Sequence, residues 1–358
     1  MNKKRSALKR RLRANQSCRY ELSRCALYGV RQLSVLTDLL QTTNKALRQS
    51  AQAPEFATWV DRSRPEKPRD IQDPRGTTER LHYRICELLD RVIRPEFLHS
   101  ATRKRSSITN ASQHVSHGPC VTTDMKSFYE ATSTKQVEEF FSDSLNMAPN
   151  LARKLANLCT TDGHLPTGSP LSPLLSYWAH HQTFDKIHEL VVERGVVMTV
   201  YVDDMAFSGA HASLALLRQV KHKLRLRGLE THKDKSFGRG QFKHITGAAV
   251  NGRGIHVPNR RLKQIVDDQG VLAKGEFDAE TVASLRIKLS GRIASASAIS
   301  RKTAAWLKRR DVYNPKRPCM NASLCASFQV FRLRQNGLQL CIRPCCSRRS
   351  AAGPYEIR

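Results

Sequence analysis

Two adjacent carboxylates, Asp203 and Asp204, stand in the stretch VYVDDMAFSG (200–209), behind the apolar residues Val196, Val197, Met198, Val200 and Tyr201. That run reads as a buried strand, where ionised carboxylates are costly unless a positive charge compensates them. On a flat strand the pair would point to opposite faces; at the tip of a hairpin both can aim at one site. A third acid, Asp124, follows another short apolar run in VTTDMKSFY. Hard carboxylate oxygens suit Mg²⁺, which keeps several waters and is shared with substrate phosphates. Three carboxylates can hold two such ions about 3.5–4 Å apart and clamp the attacking and leaving oxygens of an in-line phosphoryl transfer. The expected compensating charge is therefore metal, two Mg²⁺ ions. Aspartate is also common in turns, so D-D alone is better explained as a structural turn, and the surroundings must decide.

The chain around these acids has 358 residues, 60 Lys plus Arg against 31 Asp plus Glu, and a formal net charge of +29. A surplus spread over the whole length points to a polyanionic partner, above all nucleic acid, through phosphate contacts and counterion release. The N-terminal MNKKRSALKRRLRANQ has no apolar core behind it, so no signal peptide is expected. No run of 18 apolar residues occurs, so no membrane span is expected and the cytoplasm is the default compartment. The ten cysteines are then expected mostly reduced. Cys319, Cys325, Cys341, Cys345 and Cys346 cluster late, with a spacing that matches no common zinc pattern well.

The positioning elements are legible in outline. Residues 1–60 read as a basic helical extension, with Leu27, Val30, Leu33, Leu36 and Leu40 at helical spacing. DRSRPEKPRDIQDPRG (61–76) is loop and short strand. Thr78–Val92 reads as an amphipathic helix capped by Thr77 or Thr78. Cys120–Thr123 is a strand leading into Asp124, and Val196–Ser208 a hairpin tipped by Asp203–Asp204. Helical patterns lie between them at 135–158 and 171–193. ITGAAVNGRGIHV (245–257) reads as a second hairpin turning at Asn251-Gly252, and 279–310 returns to helix. Strands separated by helices, with acids at strand ends, predict an α+β class.

LPTGSPLSPLLS (165–176) lies between Asp124 and YVDD. Gly168 removes a side chain where a base pair could press on the backbone, and Pro170 and Pro173 stiffen the entry to the next helix. In this order the segments resemble bacterial retron-type reverse transcriptases over roughly residues 61–310. DMKSFY (124–129) looks like the first catalytic motif of that family and YVDD (201–204) like its Y-x-D-D. LPTGSPLSP is similar to the family's Q-G-x-P-x-S-P loop, with Thr167 in place of the usual Gln. NASQH (110–114) fits N-A-x-x-H through Asn110, Ala111 and His114, and ITG (245–247) resembles V-T-G.

The resemblance implies a right-hand polymerase fold. Fingers and palm span 61–259, a helical thumb 260–312, and a Cys/Arg-rich tail 313–358. It implies Asp124, Asp203 and Asp204 as metal ligands and Tyr129 as a ring excluding a ribose 2′-hydroxyl. Lys67, Arg69 and Arg105 are candidates for the triphosphate, since cations must neutralise its charge. Lys235, in HKDKSF, falls where the family carries a lysine that protonates leaving pyrophosphate, with Lys233 the competing candidate. Asn110 and His114 fall in the nucleic-acid-binding set through the N-A-x-x-H match, His114 reading as structural or an RNA contact. Arg253, Arg260 and Arg261 lie along the 245–261 segment, where phosphate contact is expected. Trp306 reads as core.

By resemblance the reaction is RNA-templated synthesis of DNA from dNTPs, primed from a 2′-hydroxyl of a structured non-coding RNA. The setting is anti-phage defence with an accessory effector protein and no membrane. The alternatives are a group II intron-type or phage-exclusion reverse transcriptase, or a non-catalytic RNA-binding scaffold on the same fold.

Overall fold

The computed structural model describes residues 19–63, 66, 68–274, 277–300, 303 and 305. The chain divides into two units, Met1–Val312 and Tyr313–Arg358, and every described residue belongs to the first. Lys67, Trp306 and the late cysteine cluster lie outside the described residues. The cysteines Cys25, Cys86, Cys120 and Cys159 are free thiols.

A four-stranded antiparallel sheet forms the centre, in the order β4 (Val197–Tyr201), β5 (Asp204–Ser208), β3 (Cys120–Met125), β6 (Thr231–Phe237). Period-two alternation sorts its residues. Val121, Met125, Met198, Val200, Met205 and Phe207 enter the main apolar core. Cys120 and Ala206, with the intervening Thr122 and the acids Asp124 and Asp204, occupy the opposite face. The same alternation that buries the strands thus gathers two acids on one face.

The long helix Ser172–Val192 backs β4, burying Leu174, Leu175, Phe184, Ile187 and Val191. Pro173 falls in its first turn, as expected, since proline is preorganised there. The helical pattern expected at 135–158 is broken in two, Thr134–Glu139 and Pro149–Cys159, with a π-turn at Phe140–Ser144 between them. The helix predicted from Thr78 begins at Gly76 and has no side-chain cap. The buried Thr78 hydroxyl instead accepts from the Glu55 backbone N–H at 3.0 Å.

The region expected as an N-terminal extension is part of the body from Tyr20 onward. Leu27, Val30, Leu36, Leu40 and Leu47 lie in the main core, on and before the helices Leu33–Leu40 and Asn44–Gln52. It also ends in a strand, β1 (Phe56–Asp61), paired antiparallel with β2 (Arg69–Pro74). The boundary drawn at residue 60 therefore falls inside a strand.

The stretch read as one hairpin at 245–257 is two. Strands β7 (Lys243–Ile245), β8 (Ala248–Asn251) and β9 (Gly254–His256) form a meander. Its first turn is Thr246-Gly247, at φ 41 and 81. Positive φ at both centres suits a tight hairpin turn, but a β-branched residue is a steric outlier there. Beyond it, helices α9 (Asn259–Lys274) and α10 (Ala279–Ile299) pair through a small cluster of their own, Ile265, Leu289, Ile293 and Ala296, with Val257. No helix among the described residues is long and apolar enough to cross a membrane.

Candidate active site

The three acids lie close enough for their charges to act on one another. Asp124 is the direct cross-strand partner of Asp204, which puts the two β-carbons roughly 4.5–5.5 Å apart. The Met125 N–H donates to the Asp203 carbonyl at 2.8 Å, closing the ladder at the tip. The tip is a two-residue turn, Val202-Asp203, between paired Tyr201 and Asp204. Val202 takes φ 58, a region a β-branched residue rarely enters. Strained backbone of this kind is held only where the surroundings over-determine it, and functional sites are where it collects.

On its other side Asp124 faces His232 of β6. A register shift between Thr122 and Asp124 creates a bulge, and Lys233 sits in it at φ 56. The bulge re-aims the side chain. Lys233 Nζ donates to Asp124 Oδ1 at 3.1 Å, with His232 Nε2 at 3.4 Å from the same oxygen. Lys235 lies opposite Thr122, exposed, and its charge acts on Asp204. Of the two competing lysines, the geometry places Lys233 at the carboxylates and Lys235 farther along the same cleft.

Burial first, then the Asp203 and Asp124 charges, lifts the Asp204 carboxyl to about 6. Burial and then Asp124 raise Asp203, while Lys233 and Arg69 act in the opposite direction. The site is short of positive charge. Its donors are the hard oxygens that Mg²⁺ takes. As the side chains stand, however, no group of three or more His, Cys, Asp or Glu among the described residues is gathered closely enough to hold a metal ion. Asp124 is turned instead to Lys233.

A cleft of about 470 Å³ opens beside Asp124 and Asp204, bounded by Lys233, Lys235, Tyr201, Asn110, Thr246 and Gly247. Thr246 spends its hydroxyl proton on the Ser107 carbonyl at 2.6 Å. Its oxygen can then only accept, which turns the Asn110 amide NH₂ toward it at 3.4 Å. Asn110 Oδ1 is left buried with no partner among the described residues. Asn110 thus lines the cleft and also pins the strained turn.

His114 does not reach the cleft. It is fully buried against the sheet, Nδ1 at 2.7 Å from Ser208 Oγ and Nε2 at 2.8 Å from Thr199 Oγ1. Burial, then the Lys243 charge, drives its pKa down to about 3, so it is a neutral packing residue, and a nucleic-acid contact is ruled out by its lack of exposure. Below it lies Lys243, buried, donating to the carbonyls of His114 at 3.0 Å and Ser116 at 2.8 Å and to Ser116 Oγ at 2.8 Å. Sequence reasoning missed this lysine, because nothing in QFKHITG separates it from solvated neighbours.

Tyr129 packs half-buried beside Phe128. Burial, then the charges of Asp203 and Tyr201, raises its phenol, which places the ring near Asp203. Gly168 is pressed by protein rather than by a base pair: a β-carbon there would lie 2.7 Å from the Gln72 carbonyl oxygen and 3.0 Å from Asp73 Cα. The Thr167 hydroxyl donates to the Asp70 carbonyl at 2.6 Å. Together these two residues dock β2, the strand that begins with Arg69. Arg105 Nη1 donates to the carbonyls of Pro95 and Leu98, which ties that loop. Arg253 and Arg260 are exposed; Arg261 Nη1 donates to Ser295 Oγ at 3.0 Å, tying α9 to α10.

No protein-family model matches the chain. Four curated proteins do, among them three retron reverse transcriptases. The Retron Se72 reverse transcriptase of Salmonella heidelberg (strain 579083-10) is 23% identical over 150 residues, 42% of this chain and 40% of its own length. The Retron Mx162 reverse transcriptase of Myxococcus xanthus is 24% identical over 246 residues, 60% of this chain and 51% of its own. The Retron Ec86 reverse transcriptase of Escherichia coli is 25% identical over 151 residues, 42% and 47%. The chain thus spans about half the length of these relatives or less. Over the matched stretches it is a homologue of the retron reverse transcriptases.

Proposed function

We propose that the protein is an RNA-directed DNA polymerase built as a right hand. The sheet β4-β5-β3-β6 is its palm, the β1–β2 ribbon belongs to its fingers, and α9–α10 form its thumb. The observation that carries this is the pairing of Asp124 with Asp204 at a hairpin tip that also holds Asp203, from segments far apart in sequence. A structural pair of turn aspartates would need no third acid facing it across the sheet.

In the reaction a primer hydroxyl attacks the α-phosphate of a dNTP and pyrophosphate leaves. Asp124, Asp203 and Asp204 would hold Mg²⁺, which supplies the charge that stabilises the attacking and leaving oxygens. Arg69, docked through Thr167 and Gly168, serves the triphosphate; its charge is felt at Asp203. Tyr129 stands where a ring would meet a 2′-hydroxyl, a discrimination by bulk. Lys233 holds Asp124 in the resting site and Lys235 lines the approach, leaving Lys235 free to protonate the leaving group. Asn110, Arg253, Arg260 and Arg261 surround the side on which a primer–template duplex would enter.

From the retron resemblance we infer a structured non-coding RNA as both template and primer, with a ribose 2′-hydroxyl starting the DNA, in anti-phage defence beside an accessory effector. The test is extension of a DNA or RNA primer on an RNA template with dNTPs and Mg²⁺, together with sequencing of copurifying nucleic acid. Templated DNA synthesis and a covalently joined RNA–DNA species support the reading. Synthesis without the joined species points to the group II intron-type or phage-exclusion alternative, and RNA binding without synthesis to a non-catalytic scaffold.

A further inference from the structure

Trp59 is 45% exposed on the β1–β2 ribbon. A lone exposed apolar residue needs no explanation, but this one is supported from behind. The Arg75 guanidinium lies over its ring, 5.9 Å from the centroid. Arg75 is itself fixed by Asp73, buried at 5%, through a contact of 3.0 Å. A buried carboxylate thus holds a cation, and the cation backs an indole. The ring is preorganised, and its exposure is left for something else to cover.

The register says what lies beside it. Trp59 is opposite Ile71 and Asp61 opposite Arg69, so Trp59, Ile71, Asp61 and Arg69 share one face of the ribbon. Arg69 is the diagonal neighbour of Trp59, roughly 7–8 Å away, within reach of an aromatic and a long side chain. Arg69, on this face, comes close enough for its charge to act on Asp203. The ribbon is held in that attitude by the docking of β2 on Thr167 and Gly168.

We propose that Trp59 is a stacking platform for an unpaired RNA base, the template base just ahead of the incoming pair. An indole carries a π-face that any base can cover, and stacking tolerates every sequence, which suits a template strand. The chain's charge of +29 favours a polyanion over an apolar protein segment as occupant. The assignment rests on the polymerase reading for the position of the template, but its test does not require catalysis.

Binding is measured without dNTPs, using the full chain and two RNA-containing duplexes, one blunt and one with a single-stranded 5′ template overhang. The first unpaired base of the overhang is replaced by 2-aminopurine. Trp59→Ala is expected to weaken binding of the overhang duplex roughly tenfold while leaving the blunt duplex unchanged, and to abolish quenching of 2-aminopurine. Trp59→Phe is expected to keep most of both. The residue is exposed, so folding is not at stake. Equal binding of the overhang duplex by wild type and Trp59→Ala, or an equal loss on both duplexes, would overturn the platform. Were the protein no polymerase, extension would fail in wild type too, whereas this binding difference would still be read.

Discussion

Replacing Gly168 with Ala isolates the joint between the β1–β2 ribbon and the acids. The added methyl would meet only backbone: 2.7 Å to the Gln72 carbonyl oxygen, 3.0 Å to the Gln72 carbonyl carbon and 3.0 Å to Asp73 Cα. Ordinary van der Waals contact begins near 3.4 Å, so β2 must retreat by about 0.7 Å. No flexible side chain can absorb that. Overpacking of this kind costs about 1–3 kcal/mol. The retreat also stretches the Gly168 N–H to Gln72 carbonyl bond of 3.1 Å and the Thr167 hydroxyl to Asp70 bond of 2.6 Å, each worth about 1 kcal/mol. Melting temperature is therefore expected to fall by several degrees, roughly 2–4 °C per kcal/mol. Because Arg69 begins the displaced strand, kcat/KM for dNTP incorporation is expected to fall about 10–100-fold, the scale of an ångström-sized misplacement. Gly270→Ala is the control. It lies inside α9 with nothing within 4 Å of the added carbon, and is expected to stabilise by about 0.5–1 kcal/mol without changing kinetics. Unchanged melting and kinetics in Gly168→Ala would refute the joint.

Other outcomes follow from the same geometry. Tyr129→Ala is expected to admit ribonucleotides, measured as the rNTP-to-dNTP incorporation ratio; an unchanged ratio removes the gate. RNA affinity should fall steeply and linearly in a log–log plot against salt, since cations release counterions from phosphate. A flat plot would assign the +29 charge elsewhere. His82 and His114 are buried and neutral, with pKa values down at about 4 and about 3. Below the ordinary value of 6.5 the unfolded chain binds protons that these folded sites refuse, so stability is full above pH 6.5 and falls as pH drops toward 4. Each contributes a slope of up to about 1.4 kcal/mol per pH unit. Denaturant unfolding across that range reads it, and a Gln replacement at position 114 should flatten the curve.

Much of the site was legible because the chemistry and the period agree. An apolar run interrupted by two acids is hard to explain except as a buried hairpin with a polar tip, and β4, Val202-Asp203 and β5 form that hairpin. Asp124 followed the same logic on β3. What sequence could not show depends on non-local contact. The strand β1 was read as helical extension, because FATWVD pairs only with residues beyond a loop. The extra turn at Thr246-Gly247 was missed because threonine at positive φ contradicts local preference and is held by Ser107 and Asn110 from another element. Gly168 was recognised as a position of close approach, but the partner is Gln72–Asp73 of this chain. Sequence puts Lys235 ahead of Lys233, because the bulge that brings Lys233 to Asp124 is invisible in HKDKSF. His114 and Arg105 carry titratable or charged groups that read as functional, yet burial and backbone carbonyls absorb them.

On the proposed function, three acids from distant segments act as one phosphoryl-transfer centre. The most direct test is single-nucleotide extension by Asp124→Asn and Asp203→Asn on an RNA template, with RNA affinity measured alongside. Both variants are expected to retain RNA binding and to lose incorporation by at least about a thousandfold, the scale of an essential transition-state charge. Extension at the wild-type rate by either variant would contradict the account.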